Sequence, residues 1–157
     1  MPKKRRRTLV IDASVARSAG KTENPRSQKC RRFLRWVLKY CHRLVLSNDL
    51  QQEWTKHESS FTRHWRVAME QKGKVVKLGR LDSGTLQNRI DALKIQKAPK
   101  RAMKKDALLV VAAQAADRTV VSLDNEARDL FQKHANQLKT PRGIIWRNPE
   151  KDAIPWK

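Results

Sequence analysis

Apolar residues along the chain fall in short blocks that switch between strand and helix spacing. Thr8-Leu9-Val10-Ile11 is a β-branched run closed by Asp12, as in a strand buried on both faces. Asn24-Pro25 predicts a loop over residues 21–27. Residues 30–40 follow a helical period, with Phe33, Leu34, Val37, Leu38 and Cys41 on one side. A second strand is predicted at 43–46, and Ser47 or Asn48 can cap a helix through Glu53 and Trp54 towards His57. Ser59 or Ser60 caps the next helix, which carries Phe61, Trp65, Ala68 and Met69. The basic connector 72–79 holds a short extended piece at Val75-Val76. Ser83 or Thr85 starts a helix bearing Leu86, Ile90 and Leu93, and Pro99 ends that pattern. The Ala- and Leu-rich stretch 102–116 predicts a long helix. A strand at 119–123 is closed by Asp124, a helix covers 126–135, and 143–146 is a last strand.

Strands separated by helices imply an α/β fold whose parallel sheet is covered on both faces. Ligands of such sheets sit at the carboxyl ends of the strands. The 157 residues suit one domain at 8–148, with a basic arm at 1–7 and a tail at 149–157.

Charge narrows the partner. Lys and Arg number 36 against 15 Asp and Glu, a net +21, so a polyanion is expected nearby: nucleic acid first, an anionic membrane second. The longest apolar run, residues 107–113, is far short of the ~18 that span a bilayer. The basic start lacks the apolar stretch of a signal peptide, so a cytoplasmic protein is expected. Residues 2–7 also fit a nuclear import signal, although such runs are more commonly phosphate-binding arms. Cys30 and Cys41, eleven apart on one predicted helix, stand about 16 Å apart and cannot be bridged. Both are expected to be buried, and the histidines show no zinc-ligand spacing.

The scarce acids carry the chemistry. Asp12 and Asp124 close two core strands, Asp106 opens the long apolar helix, and Glu53 lies in the helix after the second strand. A parallel sheet can deliver all four to one edge, where clustered carboxylates suit Mg²⁺ or Mn²⁺. Each acid alone reads more readily as a helix cap, a turn former or a solvated residue than as part of a site. The ordered set is what points to a site. Asp129 is a reserve candidate, Asp49 reads as a first-turn helix acid, Asp117 as a salt-bridge partner, and Asp82 and Asp91 as surface residues.

The segments Leu9-Val10-Ile11-Asp12-Ala13-Ser14, Leu46 to Glu53, Asp106 to Ala113, and Val120-Val121-Ser122-Leu123-Asp124 together resemble the PIN-domain nucleases. The likeness runs from about Thr8 to Asn148, nearly the whole chain. It implies a three-layer α/β/α sandwich with a mostly parallel central sheet. It also implies a Mg²⁺- or Mn²⁺-dependent nuclease, RNA ahead of DNA, leaving a 5′-phosphate. Asp12, Glu53, Asp106 and Asp124 would be its metal-binding catalytic acids, supported by Ser14 and Ser122. The family includes toxins, so a homodimer and an antitoxin-like partner also come with the resemblance.

Basic residues group at 3–7, 31–43, 72–80 and 97–105. Arg31, Arg32, Arg35, Lys97, Lys100, Arg101, Lys104 and Lys105 are expected to bind backbone phosphate without reading bases. Trp36 and Trp65 read as core residues, Trp54 could be core or a stacking platform, and Trp156 lies in the tail. A phosphatase of the haloacid-dehalogenase type needs a second Asp two residues after the first, where Ser14 stands, and a ribonuclease-H fold needs a hairpin there. The rival outside the enzymes is a non-catalytic basic nucleic-acid-binding protein.

Overall fold

The computed structural model describes residues 5–139 and 143–154. Its elements run β1 (Thr8–Ile11), α1 (Ala13–Ser18), α2 (Pro25–Lys39), β2 (Arg43–Ser47), α3 (Asn48–His57), α4 (Ser60–Gln71) and β3 (Val75–Gly79). Then follow α5 (Gly84–Asp91), α6 (Lys97–Gln114), β4 (Thr119–Val121), α7 (Asn125–Lys133), α8 (Ala135–Leu138) and β5 (Ile145–Arg147). The strands form one all-parallel sheet in the order β3-β2-β1-β4-β5. The order reverses direction at β1, which is the switch point of this sheet. α2 packs on α1 and α4, while α6 packs on α5 and α7 and crosses β1 and β4. Right-handed crossovers put these groups on opposite faces, giving a three-layer α/β/α sandwich. Leu9, Val10, Ile11, Leu44 and Val45 are fully buried in the middle layer. Among the described residues, no helix is long and apolar enough to cross a membrane.

Two helices begin earlier than their sequences suggest. Asn24 accepts the Arg26 amide and caps α2, so Pro25 opens a helix instead of lying in a loop. Pro99 sits in the first turn of α6, where its missing N–H has no partner to lose, so it neither stops nor delays the helix. Asp106 therefore lies in the third turn of α6, not at its opening. α6 is about 27 Å long and β1 about 13 Å, so the first turns of α6 overhang the carboxyl edge of the sheet.

Other differences are local. β3 is a full edge strand where only Val75-Val76 looked extended, and α1 fills a stretch that shows no helical period. β4 stops at Val121, two residues short of the expected run, and β5 is shifted to Ile145–Arg147. α7 matches the helix expected at 126–135, and beyond His134 the short α8 adds a turn where none was expected. Cys41 lies beyond α2 with φ 60° and is only partly buried, whereas Cys30 is buried as expected. Residues 148–154 fold back onto the domain. Glu150 pairs with Arg26 at 2.8 Å, and Ile154 packs on the core. Asp117 makes no ion pair among the described residues. Its carboxylate accepts the Thr8 amide at 2.7 Å and pins the start of β1.

Candidate active site

Asp12 follows the last residue of β1, and its own amide donates to Val121 of β4 at 2.8 Å. Two hydroxyls grip one carboxylate oxygen. Ser14 donates to Oδ2 at 2.6 Å and Ser122 donates to the same atom at 3.1 Å. Oδ1 accepts nothing among the described residues. The serines also hold the next loop: Ser14 accepts the Leu123 amide and Ser122 the Asp124 amide. Asp124 then caps α7 by accepting the Ala127 amide at 3.1 Å. Asn148, 3% exposed, donates to Leu123 O and to Asn125 Oδ1, bracing that loop from the far end of the chain.

α3 is fixed by Trp54, which is fully buried and donates its indole N–H to Ile11 O at 2.8 Å. That bond joins α3 to the residue before Asp12 and brings Glu53 to the same edge. Glu53 is exposed and lies 3.5 Å from His57 Nε2, one turn along the helix. Asp106 reaches the edge from α6 and is only 7% exposed, with no hydrogen bond among the described residues. Its carboxyl is pushed up to about 7, first by burial and then by the charges of Asp12 and Asp124; Lys105 opposes the shift.

Two adjoining cavities meet here. One, of about 210 Å³, is lined by Asp12, Ser14, Glu53, Asp106 and Asp124 together with Arg17, His57 and Lys105. The other, about 320 Å³, shares Asp12, Glu53, Lys105 and Asp106 and extends past Asp49. All four acids singled out from sequence thus border one cleft. Asp129 does not: it is exposed and pairs with Arg128 at 3.1 Å. Sequence reasoning missed Arg17, one turn beyond Ser14, and it set Asp49 aside. The Glu53–His57 spacing was the readable sign that His57 belongs here.

An oxygen-only donor set matches Mg²⁺ or Mn²⁺ in chemistry. A buried carboxylate without a hydrogen bond, repelled by two others, is also what a cation would relieve. Among the described residues, however, no three acidic, His or Cys side chains are grouped closely enough to hold one ion. The acids line an open cleft.

The cations divide by role. Lys97, Arg101 and Lys105 are exposed at i, i+4 and i+8 and form a stripe on α6 that ends in the cleft. Lys104 instead pairs with Asp91 at 3.0 Å, and Lys100 donates to the Asp91 carbonyl at 2.7 Å. Arg31 donates to Gly20 O, Thr22 O and Ser27 Oγ, stapling the loop before α2. Arg35 lies over the Phe61 ring, 5.1 Å from its centre. Arg32, exposed, borders a separate cavity with Glu150. Trp54 and Trp65 are core residues whose indoles donate to carbonyls, and Trp36 is half-buried against His42. Lys3 and Trp156 lie outside the described residues. Compared with family models, curated proteins and solved structures, the chain shows no significant match.

Proposed function

We propose that the chain is a divalent-metal-dependent nuclease that hydrolyses phosphodiester bonds, in RNA ahead of DNA, as a PIN-like protein of the cytoplasm. The observation that carries this reading is the meeting of Asp12, Glu53, Asp106 and Asp124 at one cleft, with Asp106 buried and unpaired, in a chain of net charge +21. Asp12, Asp106 and Asp124 border the cleft without closing on one point, so they would have to draw in around a metal to hold it, with Glu53, the exposed acid, as the outer donor. A bound Mg²⁺ or Mn²⁺ supplies Lewis-acid polarisation of the phosphate and a water of lowered pKa.

The chain's own residues do the rest. Ser14 and Ser122 fix Asp12 through Oδ2 and leave Oδ1 turned to no protein donor. Asp124 is held by the turn that caps α7. Lys105 and Arg17 set positive charge beside the acids, where non-bridging phosphate oxygens can bind. The stripe Lys97–Arg101–Lys105 holds the adjoining backbone charge.

The test is cleavage of end-labelled RNA and DNA side by side with Mn²⁺, with EDTA and Asp12→Ala as controls. RNA is expected to be cut, DNA to be cut more slowly, and both controls to be inactive. Salt-sensitive RNA binding without any metal-dependent cleavage would leave the chain a non-catalytic binder.

A further inference from the structure

The larger cavity contains more than phosphate chemistry needs. Beyond the acids it is walled by Leu50 of α3 and by Leu108 and Leu109 of α6, with Asp49 and Gln52 exposed at its side. Its volume of about 320 Å³ lies within the range that holds small ligands, roughly 300–1,000 Å³. Hydrolysis of a phosphodiester makes no use of three leucines. A nucleobase does, because its flat faces are apolar and its edge carries donors and acceptors. Asp49 and Gln52 make no side-chain hydrogen bond among the described residues, so their polar atoms are free to meet such an edge.

We propose that this recess between α3 and α6 receives one unpaired base of the substrate, and that the base is guanine. The proposal rests on the nuclease reading and names what the same site selects. The recess shares Asp12, Glu53, Lys105 and Asp106 with the acid cleft, so its occupant belongs to the nucleotide next to the phosphate being cut. A base inside a recess is out of its stack, which restricts the substrate to single strands or unpaired loops. A carboxylate accepts but does not donate. Guanine alone offers an imino and an amino N–H side by side to Asp49, while its O6 can accept from the Gln52 amide.

The experiment uses the full chain and 5′-labelled single-stranded RNA oligonucleotides that differ only in one G, A, C or U, plus a duplex of the G-containing strand. Cleavage is read with Mn²⁺, and binding by anisotropy with Ca²⁺ replacing it. Wild type should cut beside G about tenfold faster than beside the other bases, the lower range for a bidentate contact. The duplex should be cut about tenfold more slowly than its free strand. Asp49→Asn and Gln52→Ala, both at exposed positions, should reduce the ratio of G to non-G cleavage towards one. Leu108→Trp, which fills the recess from a half-buried position, should do the same. Cleavage indifferent to base and strandedness, or preference unchanged in these variants, overturns the base subsite and leaves the nuclease standing. No cleavage of any oligonucleotide overturns the nuclease, and binding without preference for G then overturns the subsite too.

Discussion

Asp106 shows what a single side chain costs and what it is for. Its carboxyl titrates near 7 in the folded protein against an ordinary 3.8, so the fold binds more protons than the unfolded chain across that window. Metal-free stability should therefore fall as pH rises from about 4 to about 7, by roughly 4 kcal/mol as an upper bound. Thermal unfolding in EDTA at pH 5 and pH 8 measures it. Asp106→Asn removes the penalised charge. It should abolish cleavage yet raise the metal-free Tm at pH 8 by roughly 5 °C, and it should flatten the pH dependence. An unchanged or lower Tm in that variant would mean that the acids do not repel one another across the cleft.

At the scale of elements, the seating of α3 and the overhang of α6 set the site. Trp54→Phe keeps an aromatic ring but removes the indole N–H from Ile11 O and the volume of the five-membered ring from a fully buried site; it should cost about 1–3 kcal/mol in chemical denaturation and slow cleavage roughly tenfold. On α6, Arg101→Ala should lower the slope of log affinity against log salt for single-stranded RNA by about 0.7. Lys104→Ala, whose ammonium is already taken by Asp91, should leave that slope unchanged. The strands were readable because buried parallel strands are unbroken β-branched runs, as at Thr8–Ile11. Helix starts at Pro25 and Lys97 were not, because a first-turn proline looks like a stop until its cap is known. Asp12 was legible because a strand end fixes where its next residue goes, and Asp124 because an Asp between a strand and a helix caps that helix, as it does here although β4 ends at Val121. The division of the α6 lysines was hidden, since Asp91 reaches them from another helix. Arg17 was hidden for the same kind of reason: α1 is too short to show a period.

Across the whole molecule, charge and topology work together. A net +21 surrounds a cleft lined by acids, so under the proposed reading RNA would be attracted over the whole surface and cut at one place. Affinity for single-stranded RNA should drop about 300-fold or more between 50 and 200 mM salt if six or more phosphates are contacted, which titrations at several salt concentrations will read. Both cavities lie where the strand order reverses, the place this architecture reserves for ligands.

The same strand order bears on how such a molecule is made. β1 is synthesised first yet occupies the middle of the sheet, and its neighbour β4 arrives more than a hundred residues later. Until β4 emerges, Asp12 has neither Ser122 beside it nor Asp124 opposite, and Asn148 comes later still. Under the proposed nuclease reading, a nascent chain on the ribosome, surrounded by transcripts and ribosomal RNA, would hold its cutting centre dismantled and would stay harmless to its own translation until nearly the last strand is released.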